Sequence, residues 1–408
     1  MQHTHTAKKQ TGDYKCLTNC LCCGGDVSKI LDLGKQPLAN SYQKTKLKQQ
    51  EFPLVLNLCE NCYHAQLSVA VNPKLMFQEY LYVSGTTKTL QDYFKWFASW
   101  ASKLVNGKDV LEIACNDGSQ LEEFKRLGYN VLGVDPARNL RTYSYVKGID
   151  VIVGFWNHRN AKKMGRKFDL IVVQNVFAHV PNPYDFLMAC KHTLKPGGKI
   201  IIQTSQAEMF FNGEYDGNYH EHISQFSCLS MKTLVNRAGL FVENFTSVPV
   251  HGSSYVFVIG NAPKQNRIQK QIFIEQGRGR YSIDLYTQFA KNARERTTAL
   301  KKTIQYYRNG GAKIIGYGAA AKGNTLLNFG KLKLDYIVDD NPLKHGLYTP
   351  GMNIKIVEPE VLRNEKSPIV ILPLSWNFFD EICERVKNLR NQSDVFIRYF
   401  PTLELCKN

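Results

Sequence analysis

The chain has 408 residues, of which 43% are hydrophobic, and it carries a net charge of +17. This length predicts two or three domains, and the apolar content is ordinary for a folded protein, so a largely disordered chain is excluded. No stretch approaches the roughly 18 apolar residues of a membrane helix, and the polar start has no hydrophobic signal core. We therefore expect a cytoplasmic protein without membrane contact, whose eleven cysteines are thiols or metal ligands rather than disulfides.

Two Cys-x-x-Cys pairs stand near the start of the chain, at Cys20, Cys23, Cys59 and Cys62. Four thiolates in two such pairs are typical of a tetrahedral zinc site, since each pair presents both sulfurs to one ion. Because protein fills all four positions, the spacing predicts one structural Zn²⁺ in a module over residues 1–73. The apolar runs of this module are too thin a core to fold without the metal. Cys22 stays open as an alternative ligand, since it adjoins Cys23.

An apolar run over residues 110–113 predicts a buried strand, and a small-residue turn leads from it into an amphipathic stretch over 120–127. A second predicted strand ends in Asp135, which a parallel sheet would place beside the turn, where it could hold ribose hydroxyls. The turn has Ala114 where the dinucleotide pattern Gly-x-Gly-x-x-Gly has its first glycine, and it carries Asn116 and Asp117. These polar groups favour the cationic S-adenosylmethionine over a pyrophosphate.

Further predicted strands at 151–155, 168–174 and 194–203 follow in α/β rhythm, and an aromatic-rich helix over 90–104 precedes the first strand. The Phe168-Asp-Leu-Ile-Val-Val strand before His-Val-Pro and the Leu194-Lys-Pro-Gly-Gly turn resemble the fourth and fifth strands of class I methyltransferases. We therefore expect a Rossmann-like methyltransferase core over residues 74–262. Its expected cofactor contacts are Glu112, Ala114, Asn116, Asp117, Gly118, Asp135, Phe155 and Asn175.

Titratable groups are dense in the segment 218–224, which contains Tyr219, Glu221 and His222 and follows a glycine-rich loop. This density suits general acid/base work, because His222 titrates near neutrality and a neighbouring carboxylate could orient or charge it. Metal binding through the His-x-His spacing is an alternative that lacks an evident third ligand. A polar loop without chemistry is the other alternative.

Three more site candidates lie outside that segment. His179 follows a predicted strand at the carboxyl edge, where open α/β sheets bind their ligands. Tyr80 and Tyr82 lie in a loop rich in serine, glycine and threonine. The sequence leaves open whether these tyrosines edge the core or belong to a lid that carries hydroxyl groups.

Residues 264–313 hold twelve lysines and arginines against three acids, a net charge of +9 and more than half of the excess. Apolar residues recur in this segment at spacings of three and four from Tyr286 to Tyr307. The pattern predicts an amphipathic helix with a solvated basic outer face, ended by Gly310-Gly311. The positive electrostatic field of this face attracts anionic ligands, including nucleotide diphosphates. Nothing in the sequence resembles a base-reading motif, so we expect no nucleic-acid partner.

A second unit of strand, glycine turn and helix opens at Lys313. The motif Gly316-x-Gly318-x-x-Ala321, with Asp339 and Asp340 about twenty residues on, satisfies the dinucleotide fingerprint. Predicted strands at 336–338, 369–372 and 395–399 and a helix over 378–389 complete a small Rossmann-like domain. With the basic helix it is expected to occupy residues 263–408.

The ordered set of motifs resembles the sugar C-methyltransferases, above all the C-3 methyltransferases of nucleotide-linked 4-keto-6-deoxysugars. The resemblance runs over nearly the whole chain. Besides the cysteine pairs it rests on Glu112-Ile-Ala-Cys-Asn-Asp-Gly, Tyr219-His-Glu-His, Pro249-Val-His-Gly, Gly316-Tyr-Gly-Ala-Ala-Ala-Lys and Ser375-Trp-Asn. It implies methyl transfer from S-adenosylmethionine to a ring carbon beside a ketone. The third domain would then close over the sugar nucleotide and would not hold NAD.

The resemblance also implies roles for residues. His222 would be the base, and Glu221 would orient it or bind the substrate. Hydrogen bonds to the keto oxygen, or contacts that position the sugar, would come from Tyr219, His179 and Tyr80. Further substrate contacts are expected from Tyr82, His251, Lys322 and Asn324, with Lys322 meeting a phosphate. A dTDP-linked sugar is favoured, a GDP-linked one is possible, and the protein is expected to be a monomer or weak dimer.

Two other functions remain open at this level. The second glycine turn allows a fused methyltransferase and NAD-dependent oxidoreductase. The positive charge allows an RNA-binding methyltransferase or adaptor with a zinc module, for which steep salt dependence of RNA binding would be the sign.

Overall fold

The computed structural model describes residues 12–80, 83–205, 208–250, 253–263, 267–390 and 392–407. Tyr82 and His251, two of the expected substrate contacts, lie outside the described residues. Within these ranges no helix combines the length and the apolar character that a bilayer crossing requires.

The N-terminal module is built from short antiparallel strands. They are β1 (Tyr14–Cys16), β2 (Ser28–Gln36), β3 (Phe52–Leu58), β4 (Ala65–Leu67) and β5 (Val69–Val71). Strand β3 pairs with β2 and β4, and β1 pairs with β5. Buried and partly buried residues alternate along β3, because successive side chains of a strand point to opposite faces and one face of this sheet meets the protein interior.

The central domain alternates helices and strands. In chain order they are α1 (Lys74–Phe77), α2 (Lys88–Ala101), β6 (Asp109–Ile113), α3 (Ser119–Arg126), β7 (Asn130–Asp135), α4 (Arg141–Val146), β8 (Val151–Val153), α5 (His158–Met164), β9 (Phe168–Gln174), α6 (Pro183–Thr193), β10 (Leu194–Thr204), α7 (Met209–Asn212), β11 (Ser224–Gln225), α8 (Cys228–Arg237), β12 (Phe241–Val248) and β13 (Ser254–Gly260).

The order of the central sheet is β8-β7-β6-β9-β10-β13-β12. Strands β6 to β10 are parallel, and β13, the last in sequence, lies antiparallel between β10 and β12. This is the strand order of class I methyltransferases, so the predicted fold of the core is confirmed. The strand predicted over 151–155 ends at Val153, because β8 is an edge strand with one neighbour. The helix predicted over 90–104 ends as α2 at Ala101 and tightens into a 3₁₀ turn over Ser102–Leu104.

The C-terminal part begins with two helices and continues as a second sheet. Its elements are α9 (Arg267–Gly277), α10 (Ile283–Asn309), β14 (Lys313–Tyr317), α11 (Ala321–Gly330), β15 (Tyr336–Val338), β16 (Ile356–Val357), β17 (Ile369–Pro373), α12 (Phe379–Leu389), β18 (Val395–Arg398) and β19 (Glu404–Lys407). The sheet order is β16-β15-β14-β17-β18-β19, parallel except for β19. The predicted Rossmann-like domain is therefore present, although the strand predicted over 395–399 stops at Arg398.

The predicted basic helix is α10, and its apolar stripe lies where the sequence pattern placed it. The stripe is buried at Tyr286, Phe289, Ala290, Ala293, Thr297, Leu300 and Ile304, while Tyr307 is partly buried. Helix α10 packs against β2 of the N-terminal module and against β14 and α11 of the C-terminal domain. One apolar cluster therefore contains residues of both domains, including Leu31, Leu54, Ile314 and Leu326.

The central part of the chain also contributes a strand to the sheet of the N-terminal module. The two residues of β11, which belong to the central part of the sequence, pair with β4 of the N-terminal module. The predicted boundaries at residues 73 and 262 therefore do not separate the contacts between the domains, and they stay predictions.

The four predicted zinc ligands converge. The Sγ atoms of Cys20 and Cys62 are 3.5 Å apart, those of Cys23 and Cys59 are 3.4 Å apart, and all four lie within 4.8 Å of one another. A tetrahedral site with Zn–S bonds of about 2.3 Å spaces its sulfurs by roughly 3.8 Å, so this set fits zinc. Cys22 is buried but lies outside the set. The backbone N–H of Gly25 points at Cys23 Sγ, 3.4 Å away, which suits a thiolate.

We expect Cys23→Ser to lose zinc and to be insoluble or strongly destabilised, because metal binding supplies much of the folding free energy of such modules. Metal analysis and thermal unfolding of the purified protein are the measurements. The matched control is Cys22→Ser, which should keep its zinc. Soluble Cys23→Ser protein with full zinc content would show that the ligand set is different.

Candidate active site

The turn after β6 has an unusual backbone. Ala114 and Asn116 have φ values of +56° and +52°, and Gly118 has +76°. Placing a residue that has a Cβ in this left-handed region costs of order 1 kcal/mol or more, so neighbouring contacts must stabilise the backbone of the turn. Asn116 donates its N–H to Asp135 Oδ2 at 2.8 Å, and Ala114 donates its N–H to the Val134 carbonyl at 2.6 Å. The end of β7 therefore lies beside the turn, as a parallel sheet requires.

Carboxylates surround this turn. Burial raises the pKa of Glu112 well above its usual range, and the charges of Asp117 and Asp135 raise it further. Burial also raises the pKa of Asp135 to about 6, although hydrogen bonds from the backbone of Ala137 and Asn116 oppose the rise. Among the described residues, Glu112 Oε2 has no hydrogen-bond partner. A cationic ligand would relieve this repulsion, which suits a sulfonium compound better than a phosphate.

The other expected cofactor contacts also lie at the carboxyl edge. Phe155 is partly buried in the turn after β8. Asn175 follows β9 with φ of +54°, and its N–H donates to the Gln203 carbonyl at 3.2 Å. Their contact with a cofactor stays a prediction.

The serine- and glycine-containing part of the loop that follows Tyr80 and Tyr82, which the sequence analysis left open as core edge or lid, contacts the turn at Ser84 and Gly85. Ser84 donates its N–H to Asn116 Oδ1 at 3.0 Å, and Gly85 donates its N–H to Asp117 Oδ2 at 3.2 Å. A Cβ on Gly85 would come within 2.1 Å of Ser119 Oγ, so only glycine allows this close approach.

A column of rings stands at the same edge. His222 Nδ1 lies 2.8 Å from the Gly217 carbonyl oxygen, which can only accept, so Nδ1 carries the proton. The Tyr219 hydroxyl then donates to His222 Nε2 at 2.8 Å. His179 stacks on His222 with ring centroids 5.1 Å apart, and Phe77 stacks on His179 at 5.7 Å. Burial lowers the pKa of His179 to about 4, so this ring is neutral near pH 7.

Glu221 is buried beside this column, with 5% of its surface exposed. Asn40 donates to its Oε1 at 2.6 Å, and the Tyr80 hydroxyl donates to its Oε2 at 3.2 Å. Burial raises the pKa of Glu221 to about 7, and the two hydrogen bonds act against this rise. The carboxyl group therefore changes charge near neutral pH, where an acid or base is most useful.

The metal alternative for the His-x-His spacing is not supported. His220 turns to β3, where its Nε2 lies 3.3 Å from the Phe52 carbonyl oxygen. In the part of the chain that the structure describes, the four cysteines are the one set of His, Cys, Asp or Glu side chains arranged to hold a metal.

Asn40 and Tyr42, which the sequence did not point to, reach the site region from the N-terminal module. The Tyr42 hydroxyl donates to the Ala319 carbonyl at 2.6 Å, and Asn324 Nδ2 donates to the Ala39 carbonyl at 2.5 Å. An asparagine in a connection of small residues has no chemical signature, so only the tertiary contact identifies Asn40. Asn324, expected to bind substrate, holds this segment, and its role toward substrate stays a prediction.

The second glycine turn is filled by the protein itself. Asp339, where a dinucleotide ribose would bind, accepts hydrogen bonds from the backbone of Ala319 at 2.6 Å and Asn341 at 2.8 Å, and pairs with Lys344 at 3.2 Å. The space beside Tyr42 and Ala319 admits no water molecule. The structure therefore does not favour NAD binding. Lys322 lies on α11, the helix that follows this turn, and its Nζ is 4.6 Å from the centre of the Trp376 ring.

Together, the strand order, the glycine turn after β6 and the carboxylates around it define an S-adenosylmethionine-dependent methyltransferase. Three family profiles match in chain order: a zinc binding domain over residues 20–77, a methyltransferase domain over 86–244 and a C-methyltransferase C-terminal domain over 249–401. C-methyltransferase NovU of Streptomyces niveus is 26% identical over 403 residues, 94% of this chain and 96% of that protein. The chain is therefore an S-adenosylmethionine-dependent methyltransferase that is similar to C-methyltransferases in all three of these parts.

Other similar proteins match a smaller part of the chain. The ubiquinone biosynthesis O-methyltransferase of Roseobacter denitrificans is 34% identical over 105 residues, which are 24% of this chain and 41% of that protein. Magnesium protoporphyrin IX methyltransferase of Synechocystis PCC 6803, solved with bound SAH, has a TM-score of 0.35 and 12% identity over 42% of this chain and 83% of that chain.

We expect Asp135→Ala to weaken S-adenosylmethionine binding by about tenfold or more, because a carboxylate hydrogen bond is lost and the strained turn is released. Asp339→Ala is the matched control, since that carboxylate closes the second turn. Isothermal titration of both variants is the measurement. Equal losses in the two variants would mean that the cofactor is not held by the first turn.

Proposed function

We propose that the protein methylates C-3 of a nucleotide-linked 4-keto-6-deoxysugar, with dTDP favoured over GDP as the nucleotide, in branched deoxysugar biosynthesis. The observation that carries the proposal is the hydrogen-bonded pair of Tyr219 and His222 beside Glu221, at the sheet edge that also carries the cofactor turn. The likeness to NovU, named a C-methyltransferase, supports carbon as the acceptor.

A carbon beside a ketone becomes nucleophilic only when its proton leaves. In the proposed mechanism the C-3 proton passes to the Tyr219–His222 pair: the Tyr219 oxygen takes the proton as its own proton moves to His222 Nε2. The C–H electron pair becomes the enolate. S-adenosylmethionine, held by the turn after β6, would supply the methyl group to the enolate carbon, with the S–C electron pair left on sulfur. The bond from Nδ1 to Gly217 keeps the ring in the tautomer that can accept.

The enolate oxygen needs hydrogen-bond donors. Glu221 suits this role in its protonated form, which is well populated because its pKa is raised to about 7. Tyr80, whose hydroxyl points at the same carboxyl group, and neutral His179 would position the sugar.

The C-terminal domain is proposed to hold the nucleotide. Lys322 is fixed over the Trp376 ring, and the Trp376 Nε1 donates to Asp216 Oδ2 at 2.9 Å. A cation held in this way by an aromatic face suits a diphosphate, and the basic face of α10 adds a field of the same sign.

We expect His222→Asn to lower kcat by about a hundredfold or more, while S-adenosylmethionine and sugar-nucleotide affinities stay close to those of the wild type. Asparagine keeps part of the hydrogen-bonding shape but cannot take up a proton. His192→Asn, at an exposed position away from the site, is the control. In deuterated water without methyl donor, wild-type enzyme should exchange the hydrogen beside the ketone and the His222 variant should not. Turnover like that of the wild type would remove His222 from the role of base.

The position of the methyl group is tested on a panel of 4-keto-6-deoxy nucleotide sugars, by mass spectrometry and NMR of the products. We expect a dTDP-linked substrate and a new methyl carbon at C-3. Methylation at C-5 or on oxygen would contradict the proposal.

A further inference from the structure

We infer that Asn40, a residue of the zinc module, is a positioning residue of the active site, which orients the carboxyl group of Glu221 and stabilises its ionised form. The inference rests on the proposed function to the extent that Glu221 is assigned there to the reaction.

The contact joins two parts of the chain that are 181 residues apart. Asn40 Nδ2 donates to Glu221 Oε1 at 2.6 Å, while Tyr80 occupies Oε2, so both carboxyl oxygens are oriented. Glu221 is buried, whereas Asn40 itself is exposed. The amide therefore reaches the carboxyl group at the border between the protein interior and solvent.

Hydrogen bonds of the residues that precede and follow Asn40 in the sequence hold its segment in position. The Ala39 carbonyl accepts from Asn324, which is 3% exposed, and the Tyr42 hydroxyl donates to the Ala319 carbonyl. Both contacts reach the C-terminal domain, while Asn40 reaches the methyltransferase core. The segment 39–42 therefore contacts both the methyltransferase core and the C-terminal domain.

The amide group of Asn40 can only donate through Nδ2, so it favours the ionised form of the carboxyl group that it contacts. Among the described residues, the ionisable groups that interact with Glu221 are Tyr80, through its hydrogen bond, and Tyr42, through the electrostatic effect of the carboxylate on its hydroxyl. Burial raises the pKa of Glu221 to about 7, and the bond from Asn40 opposes this effect. Without Asn40 the pKa of Glu221 should rise further.

A double-mutant cycle on stability tests the contact without any substrate. The zinc-loaded variants Asn40→Ala, Glu221→Gln and the double variant are unfolded by heat at about pH 5.5 and about pH 8.5. A carboxyl group whose folded-state pKa is raised costs the fold stability as pH rises through that pKa. Asn40→Ala should therefore lower Tm more at the higher pH, and this pH dependence should disappear in the Glu221→Gln background.

Equal effects of Asn40→Ala in the two backgrounds would overturn the inference. If Asn40→Ala does not fold, Asn40→Asp takes its place in the cycle. It keeps the shape of the side chain but adds a like charge, so its loss of stability at high pH should be larger and should again depend on Glu221.

Kinetics separate a positioning role from a purely structural one. Asn40→Ala should lower kcat by about tenfold even at about pH 5.5, where Glu221 is protonated in both proteins, because the carboxyl group loses the hydrogen bond that orients it. KM and cofactor affinity should change little. One limb of the pH–rate profile should be absent in Glu221→Gln, which assigns that limb to Glu221. In Asn40→Ala the apparent pKa of the same limb should move to higher pH, and an unchanged pKa would count against the inference. If the wild type methylates no sugar nucleotide, the proposed function fails, and the stability cycle still decides the role of Asn40.

Discussion

The apolar stripe of α10 is the contact on which the arrangement of the three domains depends. This stripe packs against β2 of the zinc module, against α7 of the central domain, and against β14 and α11 of the C-terminal domain. Burial of apolar surface contributes roughly 25 cal/mol per Å², and the stripe runs from Tyr286 to Tyr307 along a helix of 27 residues. The zinc module is too small to bury its leucines by itself, so the metal and this helix are both needed to hold it in place.

That placement matters because it desolvates a carboxyl group. Glu221 lies where the zinc module, the core sheet and the C-terminal domain close on one another, and burial moves its pKa into the neutral range. Burial likewise keeps His179 neutral, whereas the tautomer of His222 is fixed within the central domain by the carbonyl of Gly217. Domain packing therefore acts on Glu221 through Asn40, and the Tyr219–His222 pair is oriented locally.

The two glycine turns show how similar sequences acquire different uses. After β6 the turn is surrounded by carboxylates, one of which keeps an oxygen without a hydrogen-bond partner among the described residues. The carboxylates at the ends of the second strands, Asp135 and Asp339, each accept two backbone N–H bonds. Within the described ranges, only Asp339 also pairs with a lysine, Lys344, and Tyr42 closes the space beside its turn. A glycine motif therefore predicts the backbone geometry of a turn. Side chains from a neighbouring domain determine whether a ligand can bind there.

The sequence alone determined the features that depend on local spacing. Local patterns placed the parallel strands β6 to β10 and the strands β14, β15, β17 and β18, together with the buried stripe of α10, but not β12, β13, β16 or β19. The Cys-x-x-Cys pairs identified the zinc ligands, because each pair needs only residues close along the chain. Tertiary structure decided what depends on distant residues: the choice of Cys23 over Cys22, the filling of the second turn by Tyr42, the turn of His220 toward β3, and the contact of Asn40 with Glu221. These contacts join residues far apart in sequence, and no local pattern carries information about the partner that folding brings to them.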